Sequence, residues 1–200
     1  MRQAVAAHAQ RAAGTLPTAR PFTRVERRRV PAPPLSVGIA CDVSGSMGSY
    51  TGPAASTAWI LARATAAIPA ARTATVTYGR HVRPVTYPGA IPAKVTEFTA
   101  TGKYEDFTTA VTPPGRSPAP HRPGTARILV IVSDGHYKGT QHPDGQKLIT
   151  RLAVSGCQVI WIAPYGTAAT MTGTRVVVLA DPSAISAAIA RAVTARARIA

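Results

Sequence analysis

Cysteine is nearly absent: Cys41 and Cys157 are the only two in 200 residues. Two thiols cannot build the disulfide framework that staples small secreted domains. Each lies in or beside an apolar strand-like run, so both are expected to be buried free thiols in a reducing compartment. Acidic residues are scarce as well, eight against 23 Lys and Arg. Aromatic residues are few and nowhere alternate with basic ones as a base-stacking surface requires. No run reaches the roughly 18 to 20 apolar residues of a membrane-spanning helix, so no membrane contact is expected. The stretch Met1–Gly14 is rich in Ala but carries Arg2, His8, Gln10 and Arg11. It lacks the apolar centre of a secretory signal, and a cytoplasmic location is the resulting expectation. Neither a P-loop nor a dinucleotide-binding glycine fingerprint occurs. The Gly45-Ser46-Met47-Gly48 stretch has the wrong spacing for a G-x-S-x-G nucleophile elbow.

What is present is a globular composition with a basic excess. Hydrophobic residues make up 46% of the chain, which suits one domain with a real core. The net charge is +15. Residues 1–34 hold seven Arg and one acid, Glu26, and so contribute +6; the rest, with sixteen basic residues and seven acids, contributes +9. A basic surface attracts acidic partners, nucleic acid among them, although Arg-rich composition alone also produces it.

Residues 1–34 read as an arm. An Ala-rich helix over Arg2–Ala13 ends at Gly14, and a Pro/Arg stretch follows, with Arg27-Arg28-Arg29 among Pro17, Pro21, Pro31, Pro33 and Pro34. Such proline density favours an extended linker. Residues 35–200 read as an α/β domain. Leu35–Cys41, Arg127–Ser133, Cys157–Ala163 and Arg175–Leu179 are apolar runs suited to buried parallel strands. Thr51–Ile68 carries Ala55, Trp59, Ala62 and Ala66 at helical spacing and stops at Pro69. Thr73–Tyr78 and His81–Tyr87 flank Gly79-Arg80 as a hairpin, with Pro84 placing the second strand at an edge. Glu105–Val111 and Asp144–Ser155 are helix candidates, Pro113–Gly124 is a loop, and Ile91–Phe98 is ambiguous. Asp181-Pro182 starts a last helix running toward Ile199.

Strands alternating with helices predict a mainly parallel sheet covered on both faces. Ligands of such sheets bind beyond the carboxyl ends of the strands. Asp42 follows one strand and Asp134 another, so both acids are expected on one rim. The string Asp42-Val43-Ser44-Gly45-Ser46 delivers an acid and two hydroxyls into one turn, the oxygen donors a hard cation takes. Four of the eight acids, Asp42, Glu105, Asp106 and Asp134, fall at strand ends or in one loop. The plain alternative has Asp42 and Asp134 only bracing turns.

Over roughly Leu35 to Ile199 the chain resembles the von Willebrand factor A (vWA) family. The resemblance rests on Asp42-x-Ser44-x-Ser46, with Gly45 and Met47, and on Val130-Ile131-Val132-Ser133-Asp134-Gly135. It implies a three-layer Rossmann-like fold with one antiparallel edge strand, and a metal-ion-dependent adhesion site (MIDAS) binding Mg²⁺, Mn²⁺ or Ca²⁺. Ser44 and Ser46 would touch the metal; Asp42 and Asp134 would act through water. The family's further ligand is a Thr on an intervening loop, where this chain has Gly102-Lys103-Tyr104-Glu105-Asp106. The alignment puts Glu105 at that position, with Thr108, Thr101 and Thr109 as alternatives. The resemblance further implies an intracellular bacterial protein-binding module, whose partners include AAA+ ATPases of the MoxR type.

Other readings stand beside this one. A nucleic-acid-associated module would use the basic arm, with Arg27-Arg28-Arg29 neutralising phosphates without reading sequence. A phosphate-processing hydrolase of the haloacid dehalogenase type would need a second Asp two residues after Asp42, where Ser44 stands, so no enzyme is expected. His136, His142 and Asp144 match no zinc spacing and read as a solvated loop. Tyr137 and Lys138 are placed near the rim as possible partner contacts, and Trp59 and Trp161 in the core.

Overall fold

The computed structural model describes residues 2–18, 34–112, 125–164, 168–179 and 191. The chain divides into two compact units, Met1–Pro31 and Ala32–Ala200. In the first, helix α1 spans Arg2–Ala12. Gln10 closes the turn beyond it, its Oε1 accepting the Thr18 N–H at 3.1 Å. Most of the Pro/Arg stretch, including Arg27-Arg28-Arg29, the Pro113–Gly124 loop and, apart from residue 191, the helix expected from Asp181 lie outside the described residues.

The second unit is built on six strands: β1 Leu35–Asp42, β2 Ala71–Tyr78, β3 Val82–Thr86, β4 Ala126–Val132, β5 Cys157–Ala163 and β6 Arg175–Val178. Their order is β3-β2-β1-β4-β5-β6. All neighbours pair in parallel except β2 and β3, the expected hairpin. Pro84 sits in the edge strand β3, where a missing N–H is tolerated. The apolar runs became strands because alternate residues bury on opposite faces. Ile39, Cys41, Val130, Val132, Ile160 and Ile162 pack with Ala54, Ala58, Leu61 and Ala62 of helix α2, Thr51–Ala66. Ala40, Tyr78, Ile131, Val159 and Trp161 pack on the other face with helices α3, Phe107–Val111, and α4, Gln141–Val154. This is the expected three-layer α/β sandwich.

Several local expectations change. Helix α2 buries Ala54, Ala55, Ala58, Leu61, Ala62 and Thr65, so Ala66 is exposed and Trp59 is left half-buried at the flank of that stripe. Trp161 is fully buried, as expected. Helix α4 begins at Gln141 rather than Asp144, with Pro143 in its first turn, where no N–H partner is lost. Helix α3 begins at Phe107, leaving Glu105 in the preceding loop. Ile91–Phe98 forms no strand or helix. Cys41 and Cys157 are buried and form no disulfide. Among the described residues no helix is long and apolar enough to cross a membrane.

The order of the strands locates the site. From β1 the chain crosses to β2 on one side, and β4 returns on the other. The boundary between β1 and β4 is therefore the topological switch point, where open α/β sheets bind ligands. Asp42 ends β1, and Ser133-Asp134 follow β4.

Candidate metal centre

Three segments meet above this switch point. The first is the turn after β1. Asp42 is fully buried, and its Oδ1 accepts the Ser44 N–H at 2.8 Å. That bond folds the chain back so that the Ser44 and Ser46 hydroxyl oxygens stand 3.2 Å apart. Ser44 is buried and Ser46 exposed, so the pair opens at one end to solvent. A 3₁₀ helix, Gly45–Tyr50, carries the chain onward, anchored by fully buried Met47.

The second segment follows β4. Cys41 pairs with Val132, so one further residue along the register sets Asp42 level with Ser133. Ser133 Oγ donates to Asp42 Oδ2 at 2.7 Å. It accepts the Gly135 N–H at 2.9 Å and the Tyr137 hydroxyl at 3.0 Å. Asp134 Oδ1 accepts the His136 N–H at 3.0 Å. Its Oδ2 is buried without a hydrogen-bond partner among the described residues; the His136 ring Nδ1 lies 3.3 Å away but makes no hydrogen bond. Gly135 is required here, because its φ is +76° and a Cβ would stand 1.9 Å from the Ala169 carbonyl oxygen.

The third segment is the 101–106 loop, held against the first by backbone bonds. Thr101 N–H donates to the Val43 carbonyl at 2.7 Å, and Gly45 N–H donates to the Gly102 carbonyl at 2.8 Å. A Cβ on Gly45 would approach that same Gly102 oxygen to 2.9 Å, which explains the glycine within the motif. Asp106 N–H donates to the Gly79 carbonyl at 2.7 Å. Glu105 is buried, and its Oε2 accepts the Lys138 N–H at 3.3 Å. Among the described residues Thr101, Thr108 and Thr109 make no hydrogen bond to Ser44 or Ser46. Thr109 is exposed, and the Thr108 N–H is held by Gln141 Oε1 at 3.1 Å.

The electrostatics are those of crowded, dehydrated acids. Burial raises the Asp42 carboxyl to about 6 against three hydrogen bonds that lower it, and the Asp134 charge raises it further. Burial also raises Glu105, with Asp134 adding to the rise and Lys138 opposing it. In a chain of net charge +15, these acids stand together with little basic compensation.

The donor set fits a hard divalent cation. Oxygens at neighbouring corners of an octahedron lie about 3.0 Å apart around Mg²⁺ and about 3.3 to 3.7 Å apart around Ca²⁺, from their usual bond lengths. The serine pair, at 3.2 Å, lies between the two. Asp134 Oδ2, which makes no hydrogen bond among the described residues, keeps its accepting capacity for a bound water or ion. Asp42 has both oxygens engaged by protein donors, which suits an orienting role better than direct ligation. Among the described residues no three His, Cys, Asp or Glu side chains converge on a metal-sized site, so hydroxyls rather than a carboxylate cage would carry direct ligation. Asp42 and Asp134 both brace their own turns through i+2 bonds, and Asp42 also accepts from Ser133.

Two features were missed in the sequence. Ser133 is the joint of the site, yet it reads there only as the residue before Asp134. Tyr137, read as a partner contact, turns its hydroxyl inward and stacks on Phe107 with ring centroids 4.9 Å apart. Its neighbour Lys138 is exposed and lies 5.9 Å from the Tyr104 ring centre. The loop from His136 is not merely solvated, since His136 braces Asp134 through its backbone.

No protein-family model matches the chain. No curated protein matches it. Solved structures do. BatB from Bacteroides thetaiotaomicron superposes with a TM-score of 0.54 at 15% identity, over 82% of this chain and 99% of that one. Proximal thread matrix protein 1 from the mussel byssus, in a structure with a zinc-occupied MIDAS motif, gives 0.54 at 12% identity. The match covers 82% of this chain and 46% of the mussel protein, about half its length. The manganese-loaded TRAP protein of Plasmodium vivax gives 0.51 at 12% identity, over 67% of this chain and 58% of that one. At these identities the likeness speaks to the backbone, and with the strand order and the two-faced core it shows that residues 35–179 adopt a von Willebrand factor A-type fold.

Proposed function

We propose that this chain is a protein-binding vWA module that organises its partner around a divalent cation, Mg²⁺ or one of its relatives Mn²⁺ and Ca²⁺. The observation carrying the reading is the Ser44–Ser46 hydroxyl pair, 3.2 Å apart at the switch point. The Asp42 carboxylate lies beneath it, and one Asp134 oxygen makes no hydrogen bond among the described residues. Ser44 and Ser46 would hold the cation, with Asp42 and Asp134 orienting its waters and Glu105 at the third wall. The cation would supply a Lewis-acidic point that a carboxylate from another protein can complete. The structures with zinc and manganese on the same fold favour this reading over a metal-free module.

A binding role is preferred to a hydrolase of the haloacid dehalogenase type because Ser44 stands where the second Asp would be needed and Asp42 is held as an acceptor by Ser44 and Ser133. Two buried cysteines outside any disulfide suit a reducing, cytoplasmic setting. A AAA+ ATPase of the MoxR type is the partner class the family resemblance points to. Calorimetric titration of Mg²⁺ and Mn²⁺ into the full chain tests the site: saturable binding lost in Ser44→Ala/Ser46→Ala is expected, and no binding by the wild type sinks the reading. Partner capture in Mg²⁺ against chelator then separates this function from nucleic-acid binding through the arm, which would survive chelation.

A further inference from the structure

Beneath the candidate cation site runs a file of hydroxyls. Tyr78 and Tyr137 hydroxyl oxygens lie 2.8 Å apart. Tyr137 donates to Ser133 Oγ, and Ser133 donates to Asp42 Oδ2. Each hydroxyl has one proton. Ser133 gives its proton to Asp42 and Tyr137 gives its own to Ser133, so Tyr78 must be the donor to Tyr137. The file is one-way, from the end of β2 to the carboxylate at the end of β1. Its rings are locked in place. Phe107 stacks on Tyr137 and meets Tyr78 edge-on at 5.7 Å, and Trp161 meets Tyr137 edge-on at 6.2 Å. Trp161 also donates its indole N–H to the Ser133 carbonyl at 2.8 Å. Strands β2 and β5, helix α3 and the segment after β4 therefore contribute to one aromatic block whose hydroxyl file ends in a single proton directed at Asp42.

We infer that Tyr137 is a positioning residue of the cation site, fixing the Ser133 hydroxyl toward Asp42 so that Asp42 presents one set orientation to the cation's shell. The inference rests on the cation reading above. Without the Tyr137 donor the Ser133 oxygen is held only by the Gly135 N–H, and its proton can turn away from Asp42 Oδ2. Groups that orient a metal's ligands or waters in this manner typically change affinity by about 10- to 100-fold when removed. The direction of the file predicts a graded series. Ser133→Ala, which cuts the bond to Asp42, has the largest effect. Tyr137→Phe, which keeps the stacked ring, is intermediate. Tyr78→Phe leaves both later bonds intact and is the mildest.

The test is Mn²⁺ titration of the full chain and these three variants, with thermal melts in chelator to record folding. The expected dissociation constants rise by about 10-fold or more for Ser133→Ala, several-fold for Tyr137→Phe and less than about 2-fold for Tyr78→Phe. Ser133→Thr, which restores a hydroxyl, recovers most of the loss. A purely structural role would instead order the affinities by melting temperature. A second readout is the tyrosine ¹³Cζ resonance of Tyr137, assigned by its absence in Tyr137→Phe. It should shift when diamagnetic Mg²⁺ binds the wild type and stay unmoved in Ser133→Ala. Wild-type cation binding with unchanged affinity in Ser133→Ala and Tyr137→Phe overturns this inference alone. No cation binding by the wild type overturns the cation reading and this inference together.

Discussion

Ser133 and Asp42, 91 residues apart in sequence, share a 2.7 Å hydrogen bond that ties the end of β4 to the end of β1. The bond fills the second oxygen of a carboxylate whose first is held by the Ser44 N–H. Asp42 is thus an acceptor twice over. In Asp42→Asn the amide can keep the Ser44 bond, but its NH₂ then faces a Ser133 oxygen that already receives two donors. The variant is expected to lose about 10-fold or more in Mn²⁺ affinity, measured by calorimetry, with the fold retained by circular dichroism. Retention of wild-type affinity would show that the Asp42 charge is not needed at the site.

The loop contacts make a second prediction. Gly45→Ala forces a Cβ to within 2.9 Å of the Gly102 oxygen and strains the bond that docks the 101–106 loop. Gly135→Ala meets the Ala169 carbonyl at 1.9 Å with a positive φ as well. Gly135→Ala should therefore be the more damaging, by about 2 to 4 kcal/mol in urea unfolding, against about 1 to 2 kcal/mol for Gly45→Ala. The reverse order would mean that the segment at Ala169 yields more easily than the Gly102 turn.

Much of this site was legible because its parts are local. Asp42, Ser44 and Ser46 lie within five residues, directly after a buried strand, and the strand-end rule placed Asp134 beside them before any fold was known. The strands were legible for the same reason: their apolar runs are continuous and β-branched. The phase of helix α2 was not. Alanines satisfy almost any stripe, so nothing in the sequence told Trp59 from Leu61 as the inward residue. The inward turn of the Tyr137 hydroxyl was not legible, because its direction depends on partners at positions 78 and 133, remote in sequence from each other. Glu105 falls in the loop before helix α3 rather than at its start, and the Lys138 N–H that holds its carboxylate comes from a loop 33 residues away.

Glu105 carries the third prediction. A site of hydroxyls leaves a cation short of negative charge, and Glu105 supplies some if it ligates. Replacing it with the smaller neutral Thr should weaken Mg²⁺ binding while leaving the bound ion a stronger acceptor for an outside carboxylate. With Mn²⁺ as the ion and acetate as the carboxylate probe, Glu105→Thr is expected to show lower Mn²⁺ affinity and tighter acetate binding in the Mn²⁺-loaded state. Weaker acetate binding in the variant, or weaker partner binding once a partner is known, would count against the idea that Glu105 tempers recruitment.

The acid that anchors the site should also leave a mark on stability. The Asp42 carboxyl rises from 3.8 to about 6 in the fold, chiefly through burial. Between these values the folded state binds more protons than the unfolded one, so stability falls as pH rises. The Asp42 contribution is fully present below about pH 4 and is lost by pH 6 to 7, a change of about 3 kcal/mol at 1.36 kcal/mol per unit. Glu105, raised in the same direction, adds to the slope. Other groups titrate too, so the measurement is a difference: urea unfolding of wild type and Asp42→Asn in chelator, at pH 4 and pH 7. Wild type should lose about 3 kcal/mol more than the variant over that interval. Mg²⁺ at one fixed concentration should restore more stability at pH 7 in wild type than in Asp42→Asn, since the cation favours the ionised carboxylate and binds the variant more weakly. Parallel pH curves for the two proteins would mean that Asp42 is ionised in the fold at little cost, and that the hydrogen bonds from Ser44 and Ser133 already compensate its burial.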